Sequence, residues 1–303
     1  DTLVVFSDHG HVDVGGHGGT EAVAMTEPLV LAGAKIRPGQ YDDMQMVDLA
    51  PTVAVLLGGN IPASTQGRPL VEMLDLDDSF AARVSELSRA QQAQWTAAYS
   101  AAIGYPVDGA SLEAAQSVTD YQALISEAQN ARKSAETWPR LLLALGIMAV
   151  LVFFLRPWRW MRQWVWLGAL VVFGIFYLRV AIDASRTFSY STLGGAEDLI
   201  LLGASGALPG LLFVGTVFFW RQGWRSWARK QAAEAMLDLG LATGILILVV
   251  MLAEFVVDGF LPTWTLPDFG LHYFFELSAI QILMTLAFAP LLAGIAALLA
   301  KKS

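Results

Sequence analysis

Five apolar runs crowd into the last 160 or so residues, and they limit what this chain can become. They fall at about 139–155, 163–179, 199–220, 236–257 and 277–300. A helix crossing a bilayer needs about 20 mostly apolar residues. The alternative, helices buried in a large soluble core, leaves too little polar sequence to cover five such runs. In hydrocarbon only a helix or a closed barrel satisfies its own backbone. The expectation is therefore an all-α bundle of about five transmembrane helices over 138–303. Pro209 should kink the third.

Charge divides the chain in the same way. Residues 1–139 carry a net charge of −11 and the remainder +3. Arg156, Arg159 and Arg162 follow the first run. Arg221, Arg225, Arg229 and Lys230 follow the third, and Lys301 and Lys302 follow the fifth. These basic segments all fall on one side of a five-span arrangement, and basic loops face the cytoplasm. The C-terminus is then cytoplasmic and residues 1–137 extracytoplasmic or lumenal. Seven of the ten tryptophans sit at that same boundary, where an aromatic belt belongs. This is not the charge pattern of a nucleic-acid binder. No export signal opens the chain, so it reads as the C-terminal part of a longer protein.

The acidic part alternates strand-like and helix-like stretches. Residues 2–7, TLVVFS, and 28–34, PLVLAGA, read as buried strands. Residues 48–57 read as a helix with Asp48 as its cap and Gly58-Gly59 as its stop. Alternation of this kind suggests an α/β domain with a mostly parallel sheet over 1–75. Residues 76–137 read as a helical juxtamembrane linker, broken at Gly104-Tyr105-Pro106. Sites in open parallel sheets lie beyond the carboxyl ends of strands. Asp8 and His9 stand at that point.

Three of the four histidines, His9, His11 and His17, lie within nine residues of a glycine-rich stretch, FSDHGHVDVGGHGG. Without cysteine, a metal site here must use imidazole and carboxylate. Asp8 and His9, on a turn after the strand, can reach one divalent ion. Glycines would let the loop return His17 to a second, nearby ion. Read on spacing alone, the stretch is either a metal-binding loop or a surface loop with scattered histidines. Asp13, Thr20 and Glu21 read as turn or loop-ordering residues. In the apolar half, Glu254 reads as either a functional intramembrane acid or a solvated one near the interface, and His272 as an interfacial loop residue.

The strand followed by SDHG, a glycine-rich stretch and HG resembles the alkaline phosphatase superfamily. The closest branch is that of the glycosylphosphatidylinositol ethanolamine-phosphate transferases and related membrane-anchored phosphodiesterases. The segments EPLV (27–30), QMVDLAPT (45–52), LLG (56–58), IP (61–62) and GRPL (67–70) extend the resemblance over about residues 2–75. It implies the C-terminal part of an alkaline-phosphatase-like α/β domain and two divalent ions, zinc or manganese. Asp8 and His9 would bind the ion shared with the nucleophile, and His17 the other. The family's Ser or Thr nucleophile and remaining ligands lie upstream of the matching segment. His11 is either a substrate contact or a loop residue with no role. The implied activity is phosphoryl transfer on phosphate mono- or diesters, to water or to an acceptor alcohol. The membrane half suggests a lipid-linked substrate. The competing reading is a catalytically inactive scaffold of the same family. On either reading, residues 1–303 alone are expected to lack turnover.

Overall fold

A computed structural model describes residues 1–11, 22–42, 44–155, 163–184, 196–221, 229–259, 264–265 and 269–299. They gather into two compact units, one of 1–10 and 25–136, the other of 11–24 and 137–303. Helix accounts for 75% of the described residues.

The first unit opens with β1 (Thr2–Val5), which pairs with β2 (Val30–Gly33). The pairing is antiparallel, in register from Thr2 opposite Gly33 to Val5 opposite Val30. This overturns the expected mostly parallel α/β sheet, since these are the two strands among the described residues. Parallel neighbours need a crossover of a dozen or more residues, usually a helix. Between β1 and β2 the described residues supply only the four-residue α1 (Ala22–Met25). The continuous apolar run in TLVV also does not mark burial: Leu3, Val5 and Val30 are all about half exposed. A short apolar run looks the same whichever face its neighbours cover.

After β2 comes α2 (Leu49–Leu56), close to its expected span. Gly58 adopts φ +68° at its end. The Gly59 amide donates to the Ala54 carbonyl and the Gly58 amide to that of Val55, which closes the helix with a Schellman turn. Three further helices follow: α3 (Asp78–Ala102), α4 (Gly109–Ala114) and α5 (Val118–Leu155). Asp77 caps α3 through the Ser79 and Phe80 amides, and Asp108 caps α4 through that of Ser111. The chain turns between α3 and α4 at Gly104, φ +81°. A small apolar core forms where Val55, Leu74 and Val84 meet Leu31, Ile36 and Ile61.

Polar bonds do the rest of the work in this unit. Asp48 is buried, yet it does not cap α2 as expected. Its carboxylate accepts the Gln45 amide at 3.1 Å and the Arg68 amide at 2.8 Å. It thereby closes the preceding single turn and clasps a loop twenty residues away. The Thr52 hydroxyl donates to the Asp48 carbonyl at 2.6 Å and accepts the Leu70 amide at 2.9 Å. Gln92 of α3 donates to the carbonyls of Thr65 and Gly67. Gly67 lies so close to Val47 that a Cβ there would stand 2.2 Å from the Val47 carbonyl oxygen.

The second unit holds the rest of α5 and then α6 (Gln163–Ala184), α7 (Ala196–Arg221), α8 (Arg229–Asp258) and α9 (Phe269–Leu299). Among the described residues four stretches are long and apolar enough to span a membrane: Val118–Phe154, Gly203–Arg221, Arg229–Asp258 and Glu276–Leu299. They are consistent with a membrane protein. The apolar stretch in α6, Trp164–Leu178, is shorter. Pro139, Pro209 and Pro290 lie inside helices. The core runs through Ala169, Val172, Leu211, Met236, Leu239 and Ala242.

Small residues set the closest approaches, as they do where lipid offers no hydrophobic drive to associate. A Cβ on Gly240 of α8 would lie 2.3 Å from the Ala289 Cβ of α9, and one on Gly203 of α7 would lie 2.7 Å from Ile280. Gly240→Leu must therefore push α8 and α9 apart. The expected cost is about 1–3 kcal/mol, read as a lower unfolding temperature in detergent. In the first unit, Asp48→Ala leaves two backbone donors without their charged acceptor. The expected loss is about 3 kcal/mol of loop docking. Hydrogen exchange at the Arg68 and Leu70 amides should then rise by about 100-fold, each 1.4 kcal/mol being about tenfold.

Candidate functional site

The chain leaves β1 through Phe6 and Ser7 and turns at Asp8. The Ser7 hydroxyl donates to the His9 carbonyl at 2.7 Å, which fixes the backbone of the turn. His9 Nδ1 lies 2.7 Å from the Gly10 carbonyl oxygen. A carbonyl only accepts, so Nδ1 carries the proton and the neutral ring has its lone pair on Nε2. That nitrogen stands 3.7 Å from Asp8 Oδ2. The distance is too long for a hydrogen bond. It is also shorter than about 4.2 Å, the limit for two donors each about 2.1 Å from one zinc ion. The Asp8 side chain is 83% exposed and that of His9 32%, so a ligand from solution reaches both.

The structure thus brings Asp8 and His9 together. His11 is exposed. His17, Asp13, Thr20 and Glu21 lie outside the described residues. Among the described residues no group of three or more metal-ligating side chains converges. An imidazole nitrogen and a carboxylate are the donor types that zinc takes, so the pair fits as part of a metal site.

In the second unit, Glu254 is half buried, and its Oε2 is buried with no hydrogen-bond partner among the described residues. Position 272, expected in a loop, lies in the first turns of α9. Tyr177 of α6 and Ser278 of α9 approach to 3.4 Å, and Gln281 donates to the Gly203 carbonyl of α7 at 2.8 Å. Arg140 was passed over in the sequence because it sits inside an apolar run. It donates to the Val257 carbonyl at 3.4 Å, at the end of α8 where carbonyls lack helical partners.

The sequence reading also missed a polar cavity of about 330 Å³ in the first unit, lined by Tyr41, Asp42, Arg68 and Glu72 among others. Arg68 and Glu72 form a two-pronged pair there, at 2.9 and 2.6 Å. Arg68 stands outside any helix and Glu72 in the single turn Val71–Met73, so the sequence offered no helical spacing signal for the pair. Comparison with protein-family models, with curated proteins and with solved structures returned no match.

Burial pushes the Glu72 carboxyl up, but the Arg68 hydrogen bonds and charge outweigh it and hold it below its ordinary value of 4.5. A depressed acid stabilises the fold above its unfolded pKa, and that contribution is lost as pH falls through the folded value. The pair is some 41% exposed, so solvent limits its worth to under about 1 kcal/mol. Protection of the Arg68–Glu72 segment against hydrogen exchange should fall on acidification below pH 4.5, after correction for intrinsic rates. In Glu72→Gln that acid step should be absent.

Proposed function

We propose that this is a membrane-anchored, metal-dependent phosphoryl-transfer protein acting on phosphate mono- or diesters, lipid-linked substrates among them. The observation that carries the reading is the Asp8–His9 pair: a carboxylate and a correctly tautomerised imidazole, 3.7 Å apart at the end of β1. Motif order supports it, since SDHG and the segments after it resemble the alkaline phosphatase superfamily's phosphoesterases. The proposal keeps the chemistry of those residues and none of the parallel-sheet expectation. By the bias of basic residues, residues 1–137 face the extracytoplasmic or lumenal side and the C-terminus the cytoplasm.

Each residue has a separate task. Asp8 supplies the anionic donor and His9 Nε2 the neutral one. Gly10 holds the ring in the metal-binding tautomer through its carbonyl, and Ser7 holds the turn. His17 is assigned to a second ion by the resemblance. A divalent ion bound there would draw charge from phosphate oxygens and lower the pKa of a hydroxyl nucleophile.

Metal-stripped protein, titrated with zinc in detergent by calorimetry, tests this. The expected result is zinc binding that weakens by about tenfold or more in Asp8→Asn and in His9→Gln, since even groups behind the ligands are worth about 10–100-fold. Inorganic phosphate should then bind the zinc-loaded protein and not the stripped one. Zinc binding indifferent to both substitutions would overturn the assignment and leave the inactive-scaffold reading.

A further inference from the structure

The membrane half carries a second candidate site, independent of the metal-site reading. Two apolar grooves flank the C-terminal half of α7. One, of about 450 Å³, lies between α7, α8 and α9, with Leu211, Gly215, Phe219, Met236 and Ala296 on its walls. The other, of about 320 Å³, lies between α6 and α7, with Leu167, Val171 and Val217 on its walls. Both volumes fall in the range of about 300–1,000 Å³ usual for ligand pockets. The ridge between them is exposed along Leu212, Phe213, Thr216, Val217 and Trp220.

Both grooves finish at the same basic end. Trp220 lines the first and Arg221 the second. The Arg221 guanidinium lies 5.8 Å from the centre of the Trp164 ring, on the wall of that second groove. The described residues at this end, Arg221, Arg229 and Lys230, are all basic. Arg229 and Lys230 are exposed at the first turn of α8, where amide groups and the helix dipole also favour an anion. Glu234, one turn on, pairs with Lys230 at 3.8 Å.

Grooves too apolar for a polar ligand, converging on cations, match one chemistry: acyl chains joined to an anionic head. We propose that α7 seats one anionic diacyl phospholipid of the leaflet at its Arg221 end. Its two chains lie in the grooves on either side of the ridge, and its phosphate lies against Arg221 and the start of α8. Any bilayer lipid fills an exposed groove, so the claim is for a saturable, headgroup-selective site.

Native mass spectrometry of the delipidated full chain tests this with phosphatidylglycerol and phosphatidylcholine of identical acyl chains. One phosphatidylglycerol should be retained, about tenfold or more in preference to phosphatidylcholine, as basic residues near a membrane surface favour anionic lipid. Lysophosphatidylglycerol, with a single chain, should bind more weakly, and glycerol phosphate not at all. Arg221→Gln combined with Arg229→Gln should abolish the headgroup preference without lowering phosphatidylcholine retention. Thr216→Trp should weaken retention of both diacyl lipids. Equal retention of the two diacyl lipids by the unmodified protein would overturn the proposal, as would adducts that never saturate. Since that comparison needs no substitution, it holds even if a variant fails to fold.

Discussion

In hydrocarbon every backbone amide and carbonyl must find its partner within the segment, and most of this chain's form follows from that constraint. Runs that cannot expose unsatisfied backbone become helices, so residues 163–299 are helical nearly wherever they are described. Helices in lipid gain little from burying one another, because lipid is as apolar as leucine. Contact then depends on how closely their axes approach. At Gly240, beside Ala289, and at Gly203, beside Ile280, α8 and α7 pack against α9 with no room for a Cβ. The few polar side chains follow the same rule. Thr243 returns its proton to the Leu239 carbonyl, and Gln281 reaches across to that of Gly203. Arg140 gives the end of α8 a donor where the helix itself offers none.

The first unit answers to a different limit. Its apolar core is small, and much of β1 and β2 is exposed. Side-chain bonds to backbone hold its long loop instead. Asp48, Thr52 and Gln92 together bind the backbone at positions 45, 65, 67, 68 and 70. Gln92 lies on the inner face of α3. Ser88, Gln92, Thr96 and Ser100 are buried at four-residue intervals, where an apolar stripe would be the ordinary expectation.

These two regimes explain what the sequence made legible. Four of the five expected spans were legible, because length and apolarity are properties of the sequence, whereas the apolar stretch of α6 is shorter. The stop of α2 at Gly58 and the break at Gly104 were visible because positive φ selects glycine. Strand direction was not, since TLVV reads alike in parallel and antiparallel pairs, and the sheet proved antiparallel. The role of Asp48 was half visible: its place before a helix suggested a cap, while its bond to Arg68 depends on a fold that brings positions 48 and 68 together. The Arg68–Glu72 pair was not visible, because its two residues share no helix and meet only through the fold of the loop. Of the metal-binding candidates, the adjacent pair Asp8 and His9 could be read locally. His17 depends on the path of a glycine-rich loop, which no periodicity specifies.

An exposed carboxylate beside an imidazole does little for a fold. Pairs of this kind contribute about 0–1 kcal/mol in water, and here the separation of 3.7 Å forgoes even a hydrogen bond. The bonds around Asp8 and His9 act on orientation: Ser7 holds the turn, and the Gly10 carbonyl selects which ring nitrogen presents a lone pair. Fixing a tautomer has no value for packing, because both tautomers have the same shape. It matters to whatever binds Nε2 and the anion beside it, which on the function proposed above is a divalent cation.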